Sequence, residues 1–244
     1  QDYIRRMRLV TSLLCALLLA ACGAKPEAVF HAVDNPETLS EWGQVTLAGG
    51  ALKLSKGVVP YDLNTPLFSD YAQKLRTVWV PGGEAAEYKT DDVFDFPVGT
   101  VITKTFYYAK GRSNDHVLKD SPIALTNNAL PLSGTRLMET RILVRRKDKW
   151  DALPYVWNEE QTKAYLKRTG DFKQLTLVDG EAKTEFAYIV PNTNQCAGCH
   201  AIDSTTRAIQ PIGPKARHLD KGFDYNSGTA NQLTHWTKVG LVTN

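Results

Sequence analysis

Short runs in which apolar and polar residues alternate, broken by glycine, proline and aspartate, fill the middle of this 244-residue chain. A period of two places successive side chains on opposite faces and reads as β-strand. Residues 51–54 and 57–61 are short strand candidates. Residues 75–80 (LRTVWV) form a strand stopped by Pro81-Gly82-Gly83, and 87–90 return from that turn. Residues 98–108 (VGTVITKTFYY) are rich in β-branched and aromatic types, which suit a pleated surface. Residues 137–146 (LMETRILVRR) alternate, and 175–178 with 184–190 form a hairpin about Asp179-Gly180. Trp79, Trp150, Trp157 and Trp236 are expected to pack in the core or against a cofactor.

Helical signals are fewer. Asn158, acids just after it, basic residues further on and Gly170 predict a capped helix over 159–168. Thr229 and Gln232 have capping-box spacing for a helix running to about Val239, ended by Gly240. A third, short helix is expected to begin near Asn194. The fold class is therefore α+β: a β-rich barrel or sandwich over 39–190, then a short α-helical segment over 191–244.

The N-terminal residues carry an export signal. Arg5, Arg6 and Arg8 precede an apolar run from Leu9 to Ala21, too short for the roughly 20 apolar residues that span a bilayer. Residues 1–21 are expected to be a signal peptide, with Met7 offering a start and 1–6 upstream of it. The run ends Leu19-Ala20-Ala21-Cys22, which resembles a bacterial lipobox, so Cys22 is expected to be the lipidated first residue of the exported protein. Gly23 follows, with no aspartate at that position, and by resemblance to the enteric sorting pattern the outer membrane is the expected address. Residues 22–38 read as a tether. The formal net charge is +3, of which Arg5, Arg6 and Arg8 against Asp2 supply +2. No basic run with interleaved aromatics occurs, which argues against nucleic acid as a partner.

Four cysteines are present. Cys15 falls in the signal segment and Cys22 at the lipidation position, leaving Cys196 and Cys199. Export favours a disulfide by default, but the pair stands in Cys196-Ala197-Gly198-Cys199-His200. Thiols at i and i+3 share one side of a helical turn and can reach both vinyl groups on one porphyrin edge. The next residue, His200, then offers an imidazole to the iron as proximal ligand, and Ala197 and Gly198 leave room for the macrocycle. This is the C-x-x-C-H pattern of covalent haem c attachment. A thioredoxin-like pair would need a βαβ context, and a zinc site a second Cys/His pair such as His218 with His235.

Downstream lies Gln210-Pro211-Ile212-Gly213-Pro214. By resemblance to small c-type cytochromes, the carbonyl near Pro214 is expected to accept the Nδ1 proton of His200. The distal ligand has several candidates. No methionine follows the motif, since the chain holds only Met7 and Met138. His218 comes first, Met138 second, then His116 or His235, with an open iron as a further alternative. Arg217, if buried, would suit the haem propionates.

The stretches VPYDLNTPLFSDYAQK (59–74), FDFPVGTVITKTFYY (94–108), ETRILVRR (139–146), DALPYVWNEE (151–160) and 190–219 resemble a family of uncharacterised bacterial c-type cytochrome lipoproteins, commonly diheme. The resemblance implies a second haem segment toward the C-terminus. None appears here, so the chain is a one-haem variant or the sequence lacks its C-terminal part. Phe96-Pro97-Val98-Gly99-Thr100 ahead of a late C-x-x-C-H also resembles the layout of cytochrome P460-like proteins, whose iron is open. Lys104 in that stretch is expected to be a solvent-facing strand residue.

The expected function is electron transfer by one covalent haem at the periplasmic or outer face of a membrane, with a periplasmic or outer-membrane redox partner. The alternatives are a haem enzyme or gas or peroxide binder with an open sixth site, and a β-rich binding module for a polysaccharide-like ligand.

Overall fold

The computed structural model describes residues 27–203 and 205–243. The signal segment 1–21 and Cys22 lie outside them. Among the described residues, strands hold 44% and helices 11%, the β-rich body with short helices that the alternation predicted.

The strands are β1 (Val45–Ala48), β2 (Ala51–Leu54), β3 (Val59–Tyr61), β4 (Gln73–Trp79), β5 (Ala86–Glu87), β6 (Val101–Lys110), β7 (His116–Leu118) and β8 (Ala129–Pro131). They continue as β9 (Thr135–Arg145), β10 (Trp150–Trp157), β11 (Ala164–Leu166), β12 (Asp171–Asp179) and β13 (Ala182–Val190). The last part carries helix α1 (Thr193–His200), α2 (Ala216–Leu219), β14 (Gly222–Tyr225), β15 (Gly228–Asn231), α3 (Gln232–Lys238) and β16 (Val242–Thr243).

Among the described residues, nine strands form one sheet that curls into a half-barrel. Its path runs β11-β10-β9-β6-β7-β12-β13, and β4 lies on β6 with β3 beyond it. All its pairings are antiparallel except β7 with β12. The second sheet, β1-β2-β8, has three strands. The predicted hairpin is β12–β13, turned at Gly180, whose φ of 60° is costly for a side-chain-bearing residue.

The central strands are buried on both faces. One face sends Leu75, Val101, Ile142, Val144, Leu153 and Tyr155 against Leu39, Trp42, Leu52 and Leu130 of the small sheet and its preceding turn. Each such side chain, once buried, contributes about 1.5–3 kcal/mol. Trp42 donates its indole N–H to Tyr155 Oη at 2.7 Å, and that hydroxyl donates to the Pro36 carbonyl at 2.8 Å.

The other face divides into three zones. At one end Val78 and Ile102 pack with Phe94, Phe96, Leu219 and Trp236. At the other, Phe106, Tyr108, Met138 and Val156 pack with Leu175, Tyr188 and Val190. Between these two apolar zones the same face carries charged side chains, and the segment after β13 folds over them. That segment is tied to the body: β16 runs parallel to β5, pairing Val242 with Ala86.

Four expectations are corrected. No helix forms over 159–168. Asn158 instead accepts the amides of Thr162 and Lys163 at 2.8 and 3.0 Å, closing a tight turn that leads into β11 on the edge of β10. Thr229 sits in β15, and α3 is capped by Asn231, whose side chain accepts from the Leu233 and Thr234 amides. The return strand expected over 87–90 is only β5, Ala86–Glu87. The tether, over its described part 27–38, lies on the body: Arg146 donates to Asp34 O and Asn35 Oδ1 at 3.0 and 2.8 Å.

Candidate functional site

Helix α1 begins where the sequence can hold its first turn. The Asn192 side chain accepts the Gln195 amide and the Gln195 side chain accepts the Asn192 amide, both at 2.9 Å. This reciprocal cap satisfies two amides that a helix start otherwise leaves unpaired. The helix starts at Thr193, one residue ahead of Asn194. Cys196 and Cys199 follow on one side of the helix, and His200 is its last residue. Both thiols are free, Cys196 half-buried and Cys199 exposed. Burial raises the Cys196 thiol above its ordinary pKa, with Arg141 opposing.

The chain after His200 loops out and returns. Ala201 bridges Ile209, and the His200 carbonyl accepts the Gln210 amide at 3.0 Å. His200 Nδ1 lies 2.8 Å from the Gln210 carbonyl. A carbonyl can only accept, so Nδ1 carries the proton and Nε2 keeps a free lone pair. Burial lowers the His200 pKa from its ordinary value, the Gln210 bond pulls it up, and Lys104 and Arg141 lower it further. The accepting carbonyl is thus that of Gln210, not one near Pro214. The bridge at Ile209 brings the chain back earlier than the Gly-Pro turn, and the Pro214 carbonyl accepts the Phe94 amide instead, at 3.3 Å.

His218, on α2, repeats the pattern. Its Nδ1 lies 3.0 Å from the Gly213 carbonyl, which leaves its Nε2 as an acceptor too. Gly213 passes close to β3's following loop, where a Cβ would sit 3.2 Å from Leu63 Cδ1.

A cavity of about 330 Å³ lies between this segment and the sheet. Cys196, Cys199 and His200 line it on one side, with Pro214 and His218 beside them. Ile102, Leu143 and Ala152 supply apolar wall, and Lys74, Arg76, Lys104 and Arg141 supply charge. Strand register explains the charged group. Arg76 on β4 faces Lys104 on β6, which faces Arg141 on β9, and the next row is Lys74, Phe106 and Glu139. Glu139, fully buried, accepts Arg141 Nε and Nη2 at 2.8 and 2.6 Å and the Tyr188 hydroxyl at 2.8 Å. Arg76 donates to Asp62 at 3.0 Å. Burial, then the neighbouring cations, bring Lys104 and Lys74 down to about 8.

Several predicted site residues lie elsewhere. Met138 is fully buried in the apolar zone with Tyr108 and Tyr188, off the cavity wall, because β9 carries it toward β12 and β13. His116 is on β7, beside β12. His235 stacks on Tyr225 with ring centroids 3.5 Å apart. Arg217 is exposed and off the wall, its neighbours Ala216 and Leu219 taking the buried side of α2. Lys104, expected to face solvent, lines the cavity. Among the described residues no three His, Cys, Asp or Glu side chains converge as a cage for a bare metal ion. No helix among them is long and apolar enough to cross a membrane.

No family model, curated protein or solved structure matches the chain.

The site residues that sequence reasoning missed are the four cations. The signal was present: Lys104 shares its strand face with Ile102 and Phe106, both apolar, and so points inward with them.

Proposed function

We propose that this chain is an exported, lipid-anchored c-type cytochrome that carries one covalent haem on Cys196 and Cys199, with His200 as proximal ligand, and transfers electrons. One observation carries the reading. The two thiols of the C-x-x-C-H turn and the His200 imidazole open onto a single cavity, and a second imidazole, His218, lines that cavity with its Nδ1 tied to a backbone carbonyl in the same way.

The residues present fit the group. A cavity of about 330 Å³ falls in the range of roughly 300–1,000 Å³ typical of cofactor sites. Apolar side chains suit a macrocycle, and cations suit its two carboxylates. Free thiols are what thioether formation consumes, and a neutral imidazole is what iron binds. The carbonyl bond to Nδ1 orients each ring and raises its basicity. When bound, the haem would supply reversible one-electron chemistry. His200 and His218 would hold its iron, and two imidazole ligands favour electron transfer over ligand binding. The partner would be a periplasmic or outer-membrane redox protein. The resemblance to c-type cytochrome lipoproteins points the same way, and membrane attachment would run through Cys22.

The ferrous absorption spectrum tests whether both imidazoles would bind the iron. A low-spin form indifferent to carbon monoxide is expected, and His218→Ala should turn it high-spin and responsive to carbon monoxide. A wild-type protein already high-spin and responsive would overturn the role of His218 and favour the alternative, a haem enzyme or gas binder.

A further inference from the structure

The cations on the sheet wall outnumber the carboxylates that could balance them. Four face the cavity: Lys74, Arg76, Lys104 and Arg141. Glu139 is committed to Arg141 and Tyr188. Asp62 is divided between Arg76 at 3.0 Å and Lys221 at 2.9 Å. Among the described residues, no carboxylate lies within 4.0 Å of Lys104 or Lys74. Burying charge without a partner is costly, so an unbalanced group of this kind inside a cavity calls for an anion.

The heads are also gathered. The Arg141 guanidinium lies 4.4 Å from the Phe106 ring centroid, Lys104 Nζ 5.1 Å and Lys74 Nζ 5.7 Å. One buried aromatic ring thus has three cations close to its centroid, offsetting part of their repulsion without neutralising it. Glu139 fixes the Arg141 fork from behind in bidentate geometry, and the cross-strand register fixes the spacing of the rest.

We propose that Lys104, Arg141 and Arg76, with Lys74 beside them, form an oxyanion-binding site on the sheet wall. The oxyanion has two sources. One is the propionate pair of a bound haem, which rests on the cytochrome reading. The other is a free oxyanion of phosphate or sulfate type, which does not.

Lys104→Met is the discriminating variant, because it removes a cation that has no carboxylate partner and adds no polar group to the wall. Lys74→Met is the second. The purified protein is titrated with phosphate against chloride at equal ionic strength while its melting temperature is followed. Its midpoint potential is also measured against pH. If propionates fill the site, phosphate has no saturable effect. Lys104→Met then lowers the potential and moves its propionate-linked inflection to higher pH, since the carboxylate has lost a stabilising cation. If a free oxyanion fills it, phosphate raises the wild-type melting temperature saturably, and Lys104→Met weakens the apparent affinity at least tenfold. Either pattern supports the site and names its source. Variants that match the wild type in both the potential–pH curve and the phosphate response overturn it. A colourless protein would sink the cytochrome reading while leaving the phosphate arm to decide this one.

Discussion

His200 and Gln210 hold each other twice: the imidazole Nδ1 donates to the Gln210 carbonyl at 2.8 Å, and the His200 carbonyl accepts the Gln210 amide at 3.0 Å. The first bond fixes the tautomer and the second fixes the loop that presents it. Burial lowers the ring's pKa from its ordinary 6.5. The folded state therefore binds fewer protons than the unfolded one as pH falls through 6.5, and stability is lost in that direction. In haem-free Cys196→Ala/Cys199→Ala protein, nitrogen NMR should show His200 as the Nδ1–H tautomer, titrating below 6.5. Titration at or above that value would contradict the geometry.

Lys104 and Lys74 pull stability in the alkaline range. Burial, then the neighbouring cations, bring both down to about 8 in the folded protein from an ordinary 10.5. Between those values the unfolded chain binds more protons, so stability rises with pH. The haem-free double variant should gain melting temperature from pH 8 toward pH 10 relative to the same protein carrying Lys104→Met. Parallel curves for the two would show that Lys104 is not buried among cations.

Glu139 anchors the charged wall. Removing one partner of a buried ion pair typically costs about 3–5 kcal/mol, because the other charge is left unpaired. Arg141 keeps 29% side-chain exposure, which places Glu139→Gln at the low end, about 3 kcal/mol. That is a fall of about 6–12 °C in melting temperature for a chain of this size. A change under about 2 °C by calorimetry would mean that water, not Glu139, satisfies Arg141.

Much of this was legible in the sequence. The strands β4, β6, β9 and the β12–β13 hairpin follow from alternation and β-branched content, and the motif helix from the C-x-x-C-H spacing. His218, the first distal-ligand candidate because no methionine follows the motif, lines the cavity. The failures have local causes. Asn158 favours a helix cap and an Asx turn alike, and edge pairing with β10 decided for the turn. The carbonyl that orients His200 is set by the Ala201–Ile209 bridge, which no spacing rule reveals. The cationic rows depend on which strands are neighbours: Arg76, Lys104 and Arg141 are far apart in sequence and meet only through register.

Covalent haem attachment is the claim on which the rest depends. The full chain should be expressed with c-type maturation machinery, purified and extracted with acid–acetone, then weighed by mass spectrometry. Pigment that stays with the polypeptide, with a mass equal to the processed chain plus one haem, and its loss in Cys196→Ala/Cys199→Ala, is the expected result. A colourless protein, or pigment released into the acetone, would contradict it.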